Sequence, residues 1–279
     1  MSSDRPEAAS HYGSYYRDFD AEVYAEIRRE EFGEDLGQNN WQTRAELDGF
    51  AEQLGLGPGK SLLDVACGAG GPGLQLARVS ECALTGVDRE AAGLVKARRL
   101  ARETGVGLRA RYVQADASLP LPFADGSFDA ILCLDALNHL PGRAGVFADW
   151  ARLLMPGGRL LVTDPVTITG LVAAQELALR SSIGYFDFAP PGEDERLLQA
   201  AGLKLRTVDD LTETMAAVAR GRCTVRAERA QVLRRLEGEE AFERRQRFLD
   251  IVATLARERR VSRFALVAEK PAQGARQAR

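Results

Sequence analysis

The stretch LLDVACGAGGPG, residues 62–73, decides the fold. It contains the pattern G-x-G-x-x-G at Gly68, Gly70 and Gly73, directly after a short apolar run at 61–66 that is typical of a buried strand. A glycine-rich loop between a strand and a helix lets the backbone approach a nucleotide closely, with the N–H groups of the helix N-terminus aimed at the ligand. The stretch therefore predicts a nucleotide-binding strand–loop–helix unit.

Strands and helices alternate on both sides of this loop. Segments with helical spacing separate short apolar runs, and such alternation is typical of parallel strands joined by right-handed crossovers. We therefore expect an α/β fold with a doubly wound, mostly parallel, seven-stranded Rossmann-like sheet. The predicted strands are 61–66, 82–88, 108–114, 128–137, 160–164, 203–210 and 263–269.

The pattern also predicts how the chain is divided. Residues 1–54 form an arm and a helical cap that is rich in aromatic side chains, and 55–209 form the core. Residues 210–260 are too long for an ordinary connection, so they predict a helical lobe inserted before the last strand. Residues 261–270 are the closing strand of the core, and 271–279 a flexible tail.

Composition excludes several classes of partner. The net charge of −3 gives no indication of nucleic-acid binding, and no apolar run is long enough to cross a bilayer. The polar start is unlike a secretory signal, so we expect a cytoplasmic protein without a membrane partner. The four cysteines form no C-x-x-C pair, and we expect no metal site. The sequence is also compatible with a homodimer.

Two kinds of nucleotide fit the glycine loop, a nicotinamide or flavin dinucleotide and S-adenosylmethionine (SAM). Asp88 lies 20 residues beyond Gly68 at the end of a predicted strand, where it can accept hydrogen bonds from ribose hydroxyls. Both nucleotides contain a ribose, so Asp88 does not separate them.

Three features favour SAM. Asp64 lies inside the first strand, where its carboxylate would oppose two phosphates but suits an ammonium and a sulfonium. The glycine loop begins about 60 residues into the chain behind the cap, whereas dinucleotide domains often begin with it. Asp116 follows the third strand and can accept from an adenine amino group, while the Ala117 N–H donates to the ring.

Four blocks in this order resemble the class I SAM-dependent methyltransferases, particularly the bacterial branch that methylates natural products and quinones. The resemblance is strong over 55–164 and implies methyl transfer to O, N or C of a small-molecule acceptor, with SAM as cofactor. The blocks are LLDVACGAGGPG, GVD, QADASLPLPFADGSFDAI and RLLMPGGRLLVTD.

The resemblance also implies the residues that surround each part of SAM. They are Asp64, Ala66, Gly68 and Gly70 at the methionine part, Asp88 at the ribose, Arg89, Asp116 and Ala117 at the adenine, Leu134 through backbone contacts, and Gln38 and Trp41 from the cap.

Two residues are placed to remove a proton from the acceptor. His139 follows the fourth strand, and a neutral imidazole suits general-base work. Asp164 ends the fifth strand and is the second candidate. Equally open are a packing or SAM-orienting role for His139, and a turn or cap before Pro165 for Asp164.

The sequence says less about the acceptor. Tyr185, Phe186 and Phe188 fit an apolar wall of the acceptor chamber or, equally, core packing. Residues 220–260 carry 12 arginines against seven acids, which favours a solvated helical face over a site for an anionic acceptor. A SAM enzyme that catalyses a cyclisation or rearrangement, or a non-catalytic SAM-binding protein, are the alternative functions.

Overall fold

The computed structural model describes Tyr16 and residues 18–272 and shows one seven-stranded sheet. The predicted arm, Tyr15 of the cap and residues 273–279 of the predicted tail lie outside the described residues. The strand order is β3-β2-β1-β4-β5-β7-β6; the first five strands are parallel and β7 is antiparallel to both neighbours. This confirms the predicted fold class. The strands are β1 Ser61–Val65, β2 Ala83–Asp88, β3 Ala110–Gln114, β4 Phe128–Leu134, β5 Leu154–Ile168, β6 Lys204–Asp210 and β7 Val261–Glu269.

Ten helices surround the sheet in the described part of the chain. They are α1 Glu22–Phe32, α2 Arg44–Leu54, α3 Gly71–Ser80, α4 Ala91–Glu103, α5 Arg143–Leu153, α6 Ala174–Arg180, α7 Glu193–Ala200, α8 Thr212–Glu228, α9 Ala230–Glu237 and α10 Glu239–Arg257. Among these, no helix combines the length and the apolar character that a bilayer crossing requires.

Alternating side chains of β1 enter opposite faces of the sheet, as the period of two in a strand requires. Leu63 lies in a buried cluster with Trp150 of α5, whereas Leu62 lies in the cluster that contains Phe50 of α2 and Leu76 of α3. The sheet is therefore covered on both faces, which explains why its central strands are continuous apolar runs rather than alternating ones.

Strand β5 is longer than the sequence predicted. It spans 15 residues, Leu154–Ile168, whereas the predicted strand covered 160–164, and it includes the MPGGR segment at 155–159. A register shift in its pairing with β4 lets it begin early, and Gly157 donates a backbone hydrogen bond to the Lys270 carbonyl at 2.7 Å. Its far end pairs Thr167 with Ser262 of β7. Both extensions depend on a partner about a hundred residues away.

The N-terminal helices and the three helices between β6 and β7 pack together. Trp41 and Phe248 have ring centroids 6.3 Å apart, and Arg222 of α8 binds Glu31 of α1 at 2.9 Å. Arg222 also donates to the Asn40 carbonyl at 3.0 Å. These contacts join the segment before the core to the segment inserted late in it.

Candidate functional site

A cleft of about 670 Å³ lies at the carboxyl ends of the parallel strands, where ligands of such sheets bind. The loops after β1, β2, β3 and β4 form one side, and residues 37–41, the 182–186 segment and α10 form the other. Most of the site residues expected from the sequence line it. These are Gln38, Trp41, Ala66, Gly68, Asp88, Arg89, Asp116, Ala117, Leu134 and His139. Asp64, Gly70 and Asp164 do not.

The loop after β1 is held in an unusual backbone conformation. Ala66 and Gly68 have φ of 56° and 55°, and Ala66 is one of few described non-glycine residues in this left-handed region. The Gly68 N–H donates to Asp88 Oδ2 at 2.8 Å, and a Cβ on Gly68 would overlap the Tyr16 hydroxyl. The strained residue faces the cleft, which is where such conformations usually serve a function.

The remaining glycines of the loop are required by packing rather than by a phosphate. A Cβ on Gly71 would overlap the Leu36 carbonyl oxygen, so the backbone before the cap's second helix covers the N-terminus of α3. A Cβ on Gly73 would overlap the Asp64 carboxyl. A diphosphate would need the helix N-terminus open, and here it is covered.

The expectation that Asp64 would surround the ligand is wrong. Asp64 is buried under the loop against Gly73 and does not line the cleft. Burial, with a smaller contribution from the charge of Asp88, raises the pKa of Asp64 to about 8. A largely protonated carboxyl below the loop does not supply the negative charge that the sequence argument assigned to it. Gly70, with φ of 80°, also serves the turn and does not reach the cleft.

The carboxyl side chains that line the cleft are instead Asp88, Glu90, Asp116 and Asp135. The two oxygens of Asp88 accept the N–H groups of Gly68 and Glu90, each at 2.8 Å, and burial raises the Asp88 pKa. A carboxylate oxygen has a second lone pair, so Asp88 can also accept from a ligand hydroxyl. This lining suits a cationic adenosyl ligand and opposes a diphosphate. The residues present therefore fit SAM.

Three other residues predicted to contact SAM also line the cleft. Asp116 is exposed and accepts from Ser118 N at 2.9 Å, which fixes the turn after β3. Gln38 is buried, and its Oε1 accepts from Leu36 N at 2.8 Å. Arg89 is exposed and lies 3.4 Å from the Glu90 carboxylate.

His139 ends a short 3-10 turn after β4 and faces the cleft. Its Nδ1 lies 2.8 Å from the Tyr185 carbonyl oxygen. Because a carbonyl only accepts, we assign the proton to Nδ1 and the lone pair to Nε2, which is 3.2 Å from the Asn138 amide nitrogen. Burial, aided by the charge of Arg180, lowers the His139 pKa to about 4. The imidazole is therefore neutral at physiological pH.

The structure places Asp164 away from the cleft, which corrects its assignment as a general base. Its side chain is fully buried, and Oδ2 accepts from Arg143 Nη1 at 2.6 Å. The same nitrogen donates to Asp194 Oδ1 at 2.8 Å. Burial raises the pKa of Asp164 to about 8, against the charge of Arg143 and with that of Asp194. Asp164 joins the end of β5 to the first turns of α5 and α7, and has no access to an acceptor.

Asp135 is a cleft residue that the sequence analysis missed. It has φ of 53°, and its carboxylate accepts from Trp41 N at 2.8 Å, Thr163 Oγ1 at 2.7 Å and Arg263 Nε at 2.8 Å. Arg263 is fully buried and also binds Glu46 at 2.9 Å. The position of Asp135 directly after a buried strand could have indicated a residue at the cleft. Its ion pair with Arg263 could not be predicted, because the two residues are 128 positions apart in the sequence.

Two of the three aromatic residues expected to wall the acceptor chamber line the cleft, namely Tyr185 and Phe186. Phe188 stacks behind Phe186, with centroids 6.2 Å apart, and does not line it. Phe186 also packs on Phe248 of α10 at 6.2 Å. The far half of the cleft therefore has an aromatic wall built from two distant segments.

Comparison with known proteins agrees with this geometry. Residues 63–162 match a family model described as a methyltransferase domain. The chain is 31% identical over 207 residues to the methyltransferase GfsG of Streptomyces halstedii, covering 67% of this chain and 72% of that protein. It is 29% identical over 204 residues to the 27-O-demethylrifamycin SV methyltransferase of Amycolatopsis mediterranei, covering 69% of this chain and 75% of that protein.

Solved structures share the fold over nearly the whole chain. The cyclopropane synthase MmaA2 of Mycobacterium tuberculosis superimposes with a TM-score of 0.79 at 18% identity, over 95% of this chain and 100% of that one. The [4+2]-cyclase SpnF superimposes with a TM-score of 0.73 at 22% identity, over 94% and 97%. At these identities the likeness describes the architecture, including the helices over the cleft.

Proposed function

The chain belongs to the class I SAM-dependent methyltransferases that act on small molecules, and from this premise we propose that it methylates a hydroxyl group of an apolar acceptor with His139 as the proton acceptor. One observation carries the proposal. A single cleft joins the strained loop at Ala66 and the carboxylate of Asp88 to the imidazole of His139 and the aromatic wall at Phe186. Donor and acceptor would therefore meet in one enclosed space.

The cofactor side of the cleft has a group for each part of SAM. We assign Ala66 and Gly68 to the methionine part and Asp88 to the ribose hydroxyls. Ala117 is assigned to the adenine and Leu134 to backbone contacts with SAM, and both are buried at the cleft surface. Further contacts are proposed for Gln38, Arg89 and Asp116. When bound, SAM supplies a methyl group already activated by the sulfonium.

The protein then has to align the acceptor, exclude water and hold a proton. The Tyr185 carbonyl fixes the His139 ring through Nδ1, so Nε2 is the atom that would accept a hydroxyl proton, once the acceptor hydroxyl replaces the Asn138 amide that lies 3.2 Å from it. After that transfer the Tyr185 carbonyl still accepts from Nδ1–H of the imidazolium. Burial makes the imidazolium unfavourable, which favours rapid return of the proton to solvent after transfer.

A neutral His139 in the cleft favours a hydroxyl oxygen as the atom that attacks the methyl group. A hydroxyl must lose its proton during methyl transfer, whereas a basic amine presents a lone pair without help. The relative from Amycolatopsis mediterranei is named for an O-methylation, which supports the same choice.

The test is a mass-shift screen with SAM and hydroxylated aromatic and macrocyclic compounds. We expect a product heavier by one CH₂ and an equal amount of S-adenosylhomocysteine. Conversion of an acceptor with no change in mass and no consumption of SAM would instead indicate a cyclisation or rearrangement. Methylation at nitrogen or carbon only, with unchanged rate in His139→Gln, would reject the hydroxyl acceptor and the role of His139.

A further inference from the structure

Asn138 is a buried polar residue of the cleft, next to the proton acceptor His139. It lies in the 3-10 turn after β4, lines the cleft and is fully buried. Its side-chain nitrogen, Nδ2, lies 3.2 Å from His139 Nε2. Because the Tyr185 carbonyl places the ring proton of His139 on Nδ1, Nε2 carries the lone pair and Nδ2 donates to it.

The backbone of Asn138 is fixed, whereas its side chain is held by a single hydrogen bond. The backbone carbonyl accepts from Asp187 N at 2.8 Å, which ties the turn to the segment that carries Tyr185 and Phe186. The side-chain oxygen, Oδ1, is buried and has no hydrogen-bond partner among the described residues. A buried amide oxygen without a partner is uncommon in folded proteins. Apart from the bond to His139, therefore, no hydrogen bond in the described part of the chain opposes a reorientation of this amide.

One acceptor oxygen can reach both nitrogens. Nδ2 and Nε2 are 3.2 Å apart, so an atom at a normal hydrogen-bond distance from Nε2 can lie at a similar distance from Nδ2. A hydroxyl has one donor hydrogen and two lone pairs. It can give its proton to Nε2, accept from Nδ2 with one lone pair and attack the methyl group with the other.

We propose that Asn138 makes the cleft specific for hydroxyl over amino acceptors, by turning its N–H from His139 to the reacting oxygen. The inference rests on the proposed function and adds a specificity-determining residue to it. The oxygen forms its bond to the methyl carbon with one electron pair, the bond from that carbon to sulfur breaks with its pair on sulfur, and the hydroxyl proton ends on Nε2. As the proton leaves, the oxygen gains negative charge, which a preorganised N–H stabilises.

A neutral amine cannot make the same set of contacts during transfer. Its nitrogen has one lone pair, and that pair must attack the methyl group, so it no longer accepts from Nδ2. The nitrogen also gains positive charge as the new bond forms, and the N–H dipole of Asn138 opposes this charge. Before the reaction the lone pair is free to accept, so the amine should bind almost as well as the hydroxyl. The selection therefore falls on kcat rather than on KM.

The first experiment compares turnover of matched acceptors by the full chain with SAM. Each pair is a hydroxylated aromatic compound that the mass-shift screen shows to react and its amino analogue, beginning with 1-naphthol and 1-naphthylamine. For the wild type we expect kcat of the hydroxyl compound to exceed that of the amine by at least about tenfold, with KM values within about threefold.

Two variants locate the effect. Asn138→Leu keeps the branched shape of the side chain but has no N–H, and the ratio of hydroxyl to amine kcat should fall at least about tenfold. The matched control is Asn40→Leu, which replaces an asparagine that also lines the cleft but precedes α2. It should leave the ratio unchanged within about twofold.

Nitrogen-15 NMR tests the contact itself. The chain has two histidines, so histidine labelling gives few resonances, and His139→Gln assigns those of His139. In the wild type loaded with S-adenosylhomocysteine, Nε2 should resonate as an unprotonated nitrogen that accepts a hydrogen bond. In Asn138→Leu the resonance should move toward that of a nitrogen without one, a change that a merely structural role of Asn138 would not produce.

Three results would overturn the proposal. They are equal kcat for hydroxyl and amine in the wild type, an unchanged ratio in Asn138→Leu, and a wild-type Nε2 resonance without a hydrogen bond. The two wild-type measurements decide the question even if Asn138→Leu fails to fold. Methylation of the hydroxyl with an unchanged ratio in the variant rejects the role of Asn138 and leaves the proposed function intact. A screen without any hydroxyl methylation rejects the proposed function, and this inference with it.

Discussion

Replacing Asp164 with asparagine distinguishes between two roles for this residue, a general base and a buried structural carboxyl. The structure holds the carboxyl fully buried at 2.6 Å from Arg143 Nη1, with its pKa raised to about 8. A protonated carboxyl and an amide have the same shape, and both offer one oxygen acceptor and one donor side. We therefore expect Asp164→Asn to fold and to keep its turnover number within about threefold. Removing a true general base would lower it by about 10²–10⁴.

The magnitude of the stability effect follows from linkage. The unfolded chain releases this proton near pH 3.8, whereas the folded protein retains it to about pH 8. The stabilisation is thus complete below pH 3.8 and is lost as the pH rises through 8. One pKa unit corresponds to about 1.4 kcal/mol, so this group lowers the free energy of unfolding of the wild type by about 4 kcal/mol between pH 5 and pH 8.

Urea unfolding at several pH values measures this directly. The asparagine variant has no titrating carboxyl at this position. Its free energy of unfolding should therefore fall less steeply than that of the wild type as the pH rises, so the difference in stability shifts in favour of the variant. The comparison variant Asp164→Ala also lacks the titrating carboxyl but leaves Arg143 without this partner, so it should be about 3 kcal/mol less stable than Asp164→Asn at every pH.

Two results would refute the reasoning. Parallel stability curves for the wild type and Asp164→Asn would show that the buried carboxyl is not held neutral. A hundredfold lower turnover, with normal SAM affinity and stability, would restore Asp164 as the base.

Four further outcomes are expected. His139→Gln should lower turnover by about 10²-fold while calorimetry shows unchanged SAM affinity. Because the pKa of His139 is about 4, the wild-type rate should not fall through protonation of His139 until the pH is below about 5. The contribution of the neutral His139 to the free energy of unfolding is complete above pH 6.5 and is lost as the pH falls toward 4. Asp88→Asn should weaken SAM binding at least about tenfold, since it removes a charged acceptor, and an unchanged Kd would exclude the ribose assignment. Gly73→Ala should lower the free energy of unfolding by about 1–3 kcal/mol through overlap with the Asp64 carboxyl, and with it the Tm. The exposed helical Gly145→Ala should leave the Tm equal or higher.

Local patterns were sufficient for the fold and the cofactor. Each apolar run of the parallel strands is bounded by turn residues a few positions away, and the ends of parallel strands meet at one edge whatever lies elsewhere in the chain. The loop at Gly68 and the carboxylate of Asp88 are joined by one backbone hydrogen bond across neighbouring strands. Sequence spacing therefore placed both at the same site.

The direction in which a side chain points was not predictable in the same way. Asp64 and Asp164 both lie toward the end of a strand, as a ligand-binding carboxylate would. In the folded protein, however, Asp64 lies under the glycine loop and Asp164 faces α5 and α7. Their burial depends on Gly73 and on Arg143, and the choice between facing the cleft and facing the core is made by these contacts.

The sequence by itself determined the alternation of strands and helices, the glycine loop and the class of nucleotide, because these follow from residues close together in the chain. Tertiary structure alone decided which carboxyls are charged, how far β5 extends and which arginines reach the cleft. Those properties depend on desolvation and on partners such as Arg263 and Asp135, which are 128 residues apart and meet only in the folded protein.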